Sequence, residues 1–292
     1  MGEAGTSEPR HGYAELSEVR LHYVEAGEGP LVVLLHGFPE FWYSWRRQIP
    51  ALAAAGFRVV APDMRGYNIS SRPGGVAPYA MQRLTGDVRE LIRERGAERA
   101  MLVGHDWGGA VAWATAFTHP EVVQRLAILN LPHPRRLLRG LRTPRQLRKS
   151  WYMILFQLPW LAERLTARDR WEGLRHGFEH DARPGAFTAA DIDRYVEAWS
   201  QPGAITAMLN YYRAAFRRAP WRSEAEIRPV PAPTLVIWGD RDRHLGSELA
   251  EPDHADVPRL ERVVHLPASH WVQHDEPEEV SRLLAEFFSE PR

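Results

Sequence analysis

Cysteine is absent from all 292 residues, which excludes a disulfide framework and a thiolate metal site, although that count leaves the redox compartment open. Lysine is nearly absent as well. Lys149 is the only one, and arginine carries the rest of the positive charge. Neither sign is in excess: 37 Lys and Arg stand against 37 Asp and Glu, which argues against an acidic ligand or a nucleic-acid footprint. No stretch approaches the roughly 18 consecutive apolar residues of a membrane span, and the first dozen residues are polar with no apolar signal segment. Internal repeats and low-complexity segments are also missing. The expectation is a soluble, cytoplasmic protein with a loose tail over 1–12 and no nucleic-acid or membrane partner. The one basic run (Arg135, Arg136, Arg139, Arg142, Arg145, Arg148 and Lys149) reads as a solvated face.

What is present points to a large buried core, with 44% hydrophobic residues in a chain long enough for one large or two modest domains. Strand and helix signals alternate, as a mostly parallel sheet with crossover helices requires. Strands are expected at Val19 to Glu25, Leu31 to Leu35, Phe57 to Ala61, Ala100 to Val103, Leu126 to Leu129, Thr234 to Trp238 and Arg262 to Leu266. Leu84, Val88, Leu91 and Ile92 share one face of a helix that Gly96 ends, and Val280, Leu283, Leu284, Phe287 and Phe288 mark a closing amphipathic helix. Between about Pro132 and Trp221 the alternation lapses into helical patterns: Trp151 to Leu165, Ala189 to Trp199 and Ile205 to Phe216. Pro132-His133-Pro134 opens the interval; Pro220, Pro229, Pro231 and Pro233 close it. The reading is a sheet domain (13–132 and 223–292) interrupted by a helical cap (133–222) that would close a dry site over the sheet's C-terminal edge.

Leu102-Val103-Gly104-His105-Asp106-Trp107-Gly108-Gly109 carries the chemistry. A strand, a residue flanked two positions away by Gly104 and Gly108, and an alanine-rich helix form the strand-turn-helix elbow of the α/β-hydrolase fold, which lifts a nucleophile above the sheet. Here the residue is an aspartate where serine is usual. A carboxylate with an ordinary pKa near ~3.9 is already ionised at neutral pH, and the helix N-terminus favours that form. Carboxylates attack saturated carbon well and acyl carbon poorly, so Asp106 is expected to be alkylated and the resulting ester hydrolysed.

His36-Gly37-Phe38-Pro39 follows a predicted strand where this fold supplies one oxyanion-hole amide; the backbone N–H groups of Phe38 and Trp107 are the expected pair. The fold's chain order is nucleophile, acid, histidine. Of thirteen histidines, His270 stands between the last strand and the last helix, ahead of His265 and His274. Gly239-Asp240-Arg241-Asp242 offers two acids to orient it, and Asp242 is favoured.

His36-Gly37-Phe38-Pro39-Glu40, Trp42-Tyr43-Ser44-Trp45-Arg46, Gln48-Ile49-Pro50 and the Asp106 elbow together resemble the epoxide hydrolases of the α/β-hydrolase superfamily. That resemblance implies ring opening by Asp106 to an alkyl-enzyme ester and its hydrolysis to a vicinal diol, with no metal or organic cofactor and with a small-molecule epoxide and water as partners; a homodimer is left open. It also implies two cap tyrosines that hydrogen-bond the epoxide oxygen. Trp151-Tyr152 before Phe156-Gln157 resembles the first site, and Asn210-Tyr211-Tyr212-Arg213 the second, with Tyr212 at the matching position and Tyr211 as its rival. Phe38, Trp107, Trp151 and Phe156 are expected to contact substrate, and Leu158, Trp160 and Trp199 to add apolar lining.

The chain departs from the family's pattern at Phe41, where serine is frequent and the pocket wall would change. Asn130 stands where some related dehalogenases keep their acid, which again points to Asp242. Pro39 is where the family commonly has a cis bond. A haloalkane or haloacid dehalogenase is the nearest rival, but those enzymes usually place a halide-binding asparagine at the position of Glu40. A non-catalytic receptor built on the fold would be expected to have lost part of the constellation.

Overall fold

A computed structural model describes residues 9–218 and 227–290. Eight strands form one sheet: β1 (Arg10–Glu15), β2 (Arg20–Ala26), β3 (Leu31–Leu35), β4 (Arg58–Pro62), β5 (Ala100–His105), β6 (Val123–Leu129), β7 (Thr234–Gly239) and β8 (Leu260–Leu266), in the order β1-β2-β4-β3-β5-β6-β7-β8. β2 pairs antiparallel with both β1 and β4 at one edge, and the remaining pairs are parallel. β3 and β7 are buried at every position because helices cover both faces, which is why their sequences are continuously apolar rather than alternating.

α1 (Gln48–Ala54) lies on one face; α2 (Met81–Glu94) and α3 (Trp107–Thr118) lie on the other. α2 turns Leu84, Val88, Leu91 and Ile92 inward at helical spacing. Among the described residues seven α-helices separate β6 from β7: α4 (Pro134–Gly140), α5 (Pro144–Lys149), α6 (Trp151–Leu155), α7 (Leu161–Thr166), α8 (Arg168–His176), α9 (Ala189–Trp199) and α10 (Ala204–Arg218). α9 begins with a reciprocal cap in which Thr188 and Asp191 satisfy each other's backbone amides. After β8 come α11 (Val272–Asp275) and α12 (Pro277–Ser289), the latter packing beside α1.

The register gathers the loops. Leu35 pairs with Gly104, Leu129 with His105, Ile237 with Leu129 and Gly239 with Leu266, so segments that follow β3, β5, β6, β7 and β8 all emerge at one edge of the sheet.

Two sequence expectations change. β1 begins at Arg10, inside the stretch read as a tail; its pattern is polar because an edge strand exposes most of its side chains. Of that tail, 1–8 lie outside the described residues, as do Pro220, Trp221 and the proposed cap boundary at 222. Trp151 to Leu165 is two short helices, since Pro159 cannot donate to a helical ladder and Trp160 takes a left-handed φ of 62°.

Part of the basic run becomes a clamp. Arg135 reaches Asp256, Arg136 and Arg139 reach Asp253, and Arg145 reaches Glu248, tying α4 and α5 to the segment after β7. Among the described residues no helix is long and apolar enough to cross a membrane.

Candidate active site

Asp106 sits at the turn between β5 and α3 with φ 49° and ψ −121°, a conformation that costs of order 1–3 kcal/mol for a non-glycine residue. The turn is feasible because its neighbours lack side chains. A Cβ on Gly104 would lie 2.3 Å from the Gly108 carbonyl oxygen, and one on Gly108 would lie 2.1 Å from that of Leu35. Gly37 clears the space in front: its Cβ would fall 2.4 Å from the Asp106 Cβ.

The carboxylate is held at both oxygens. The Phe38 amide donates to Oδ1 at 2.7 Å, and His270 Nε2 stands 3.6 Å from Oδ2, a charge contact rather than a hydrogen bond. Among the described residues the Trp107 amide makes no hydrogen bond to Asp106; the free carboxylate is shared between Phe38 and His270 instead. The Phe38–Pro39 peptide is cis.

His270 Nδ1 lies 2.7 Å from Asp242 Oδ2. Asp242 is buried yet satisfied, accepting from the amides of His244 and Leu245 at Oδ1 and from Asn130 Nδ2 at Oδ2. Burial pushes its carboxyl up, but the facing His270 and these donors outweigh that and hold it well below the usual carboxylate range. Asp106 is likewise lowered, with burial opposed chiefly by His270. Burial alone would depress His270, but Asp242 and Asp106 raise it to about 10. The rival acid Asp240 pairs with the rival histidine His265 at the exposed end of β8, 2.6 Å apart.

Two cavities reach Asp106. One, of about 290 Å³, is walled by apolar side chains including Trp107, Leu131 and Met153, together with Tyr212. The other, of about 440 Å³, is lined by Phe38, Trp151, Tyr152, Phe156, Tyr212 and His270 among others. Tyr152 and Tyr212 both line it and meet edge to face, with ring centroids 6.1 Å apart. Burial and then the Asp106 charge push both phenols above their ordinary values, so each keeps its proton. Tyr211 is spent elsewhere: its hydroxyl donates to the Arg65 carbonyl at 2.8 Å, and it touches neither cavity.

Some expected lining residues are placed otherwise. Trp160 is 87% exposed and Leu158 is also on the surface, because the break at Pro159 turns that segment outward. Trp199 is buried under Phe178 and donates its indole N–H to the Pro39 carbonyl, fastening α9 to the loop after β3. Phe41 packs on Tyr43 and Tyr195 and lines neither cavity. Among the described residues no cluster of three or more His, Asp or Glu is arranged to hold a metal ion.

Residues 30–277 match the family described as having the alpha/beta hydrolase fold. The human protein named Epoxide hydrolase 4 is 38% identical over 96% of this chain and 79% of its own length. The chain belongs to the epoxide-hydrolase family. An epoxide hydrolase from Bacillus megaterium, solved with an inhibitor, superposes at a TM-score of 0.87 with 35% identity, covering 96% of this chain and all of that one. The AB hydrolase superfamily protein YfhM of Bacillus subtilis (strain 168) is 42% identical over 94% of this chain and 96% of its own.

Beside His270 in this epoxide-hydrolase family member lies a buried polar set that motif reading does not join together. Glu40 contacts His105 Nδ1 at 2.8 Å and His274 Nε2 at 2.7 Å, Gln273 donates to the same carboxylate, and His105 Nε2 reaches the His270 carbonyl at 2.8 Å. Burial pushes the Glu40 carboxyl up, but His105 and His274 hold it far below the usual range. Its four members come from three segments far apart in sequence, so no spacing pattern could reveal them. Asn130 was noted only as an absent acid, yet it donates to Asp242 and accepts from the Gly239 amide.

Proposed function

We propose that this protein hydrolyses an epoxide to a vicinal diol through a covalent ester on Asp106. The observation that carries the proposal is an ionised carboxylate at a nucleophile elbow with two protonated phenols, Tyr152 and Tyr212, lining the same cavity. Asp106 attacks a ring carbon and the C–O bond breaks toward the phenols, which hydrogen-bond and protonate the departing oxygen. His270, oriented by Asp242, then takes a proton from water as it adds to the ester carbonyl. The Phe38 amide, already on Asp106 Oδ1, stabilises the oxyanion, and the Trp107 amide joins it as charge develops.

The dehalogenase reading is less well supported. Glu40, at the position of a halide ligand, is buried beneath His105 and His274 and lines neither cavity. Incubating purified protein with a neutral aryl epoxide and, separately, a chloroalkane distinguishes the two: diol without halide release is expected, and halide release without diol would reverse the assignment.

A further inference from the structure

Residues 242–246, which follow β7, are tied at every position to the chain between β6 and β7. Lys149 Nζ, at the end of α5, donates to the Asp242 carbonyl at 2.8 Å and to the Leu245 carbonyl at 3.3 Å. Gln146, three residues earlier on α5 and buried, donates to the His244 carbonyl at 2.8 Å, and its Oε1 accepts from the Gly246 amide at 3.2 Å. The Arg243 side chain reaches Asp181, ahead of α9, at 2.6 Å. The same stretch faces the reacting groups. Asp242 Oδ2 meets His270 Nδ1, and the His244 ring meets those of His270 and Tyr152 edge to face, with centroids 5.2 and 5.8 Å away.

The two α5 side chains suit this task. An ammonium is a compact charge with its donors on a flexible stem, so one atom can serve two carbonyl oxygens, which the planar fork of a guanidinium does less readily. Lysine stands only here in a chain whose other fixed cations are arginine. Gln146 Nε2 also donates to Ser150 Oγ, so three bonds fix its amide in one orientation. The backbone they pin includes the His244 and Leu245 amides that donate to Asp242 Oδ1. We propose that Lys149 and Gln146 are positioning residues for ester hydrolysis, with α5 bracing residues 242–246 so that Asp242 stays on His270. The kinetic consequence rests on the epoxide reading; the placement of Asp242 does not. Loosening the brace leaves His270 with Asp106 near Nε2 and with the imidazoles of His105 and His244 beside it, and weakens only the hold of Asp242. Ester formation uses Asp106 and the phenols and is spared, whereas activation of water by His270 suffers.

The test compares Lys149→Met and Gln146→Met, which remove the donors and keep an unbranched side chain, with the wild-type chain. In single-turnover kinetics each should lower the rate of ester hydrolysis about tenfold or more and change ester formation by less than about threefold, as expected when a group outside the chemistry lets a reacting group drift. The His270 pKa, followed by imidazole NMR, should fall below its wild-type value of about 10 because a neighbouring carboxylate is held less firmly. Arg145→Gln is the control: Arg145 lies on the same helix but reaches Glu248, beyond the braced stretch, through an exposed pair, and both readouts should stay at wild-type values. Parallel slowing of the two steps, or a lowered Tm with the His270 pKa unmoved, overturns the proposal. If Lys149→Met does not fold, the Gln146→Met readouts decide. If the wild-type chain opens no epoxide, the epoxide reading fails by itself, and the His270 pKa alone decides the brace.

Discussion

His270 presents Nδ1 to Asp242 at 2.7 Å, and this pairing governs the charge on the ring. With Asp106 on its other side, the imidazole is raised to about 10 and carries a proton in the resting protein at neutral pH. An imidazolium cannot act as a base. Forming an ester on Asp106 removes one of the two neighbouring carboxylates, so the ring's affinity for its proton drops when a base is needed. In the proposed mechanism the two chemical steps are thereby ordered by electrostatics.

Replacing Asp106 with Asn imitates that loss of charge. The His270 pKa should fall below its wild-type value of about 10, as read from imidazole NMR resonances over a pH titration. An unchanged value would mean that Asp242 alone sets it.

The same shift makes stability depend on pH. Because the folded-state pKa is raised above the ordinary ~6.5, the stabilisation is fully present below ~6.5. It is lost as pH rises through about 10. The gap in Tm between wild type and His270→Gln should therefore narrow on going from neutral to alkaline pH. A gap that stays constant or widens would contradict the assignment.

The tyrosines should separate by role. Tyr152→Phe and Tyr212→Phe should each slow ester formation by roughly 10²-fold or more, the cost of losing a donor aimed at developing charge, while ester hydrolysis changes little. Tyr211→Phe loses only a bond to the Arg65 carbonyl and should cost about 1 kcal/mol of stability with no comparable rate loss. Single-turnover kinetics and denaturant titration distinguish these outcomes.

Asn130 holds Asp242 and the Gly239 amide together at the ends of β6 and β7. Asn130→Ala leaves both buried groups short of a partner, at a cost of about 1–3 kcal/mol, and should slow ester hydrolysis more than ester formation. Equal slowing of both steps would argue for a merely structural role.

The parallel strands and the elbow were legible because each depends on local pattern: continuous apolar runs such as Leu31 to Leu35, and glycines at fixed offsets from Asp106. β1 was missed because an edge strand needs no apolar face. Glu40 beneath His105, and Asn130 beside Asp242, depend on the sheet register bringing distant loops together. Local pattern also left Tyr211 and Tyr212 as rivals, since adjacent helical residues differ by orientation alone; the bond from Tyr211 to Arg65 separates them. The cap lining suffered most, because aromatic residues at Trp160 and Trp199 look alike in sequence whether they face solvent or core.

One single-turnover experiment in heavy-oxygen water, with enzyme in excess over a neutral epoxide, tests the covalent ester most directly. Water that attacks the ester carbonyl leaves its oxygen on Asp106, so the first diol formed should be unlabelled and the Asp106 peptide should gain the heavy isotope. A labelled first diol with an unlabelled Asp106 would mean that water opens the ring directly, and the ester mechanism would have to be abandoned.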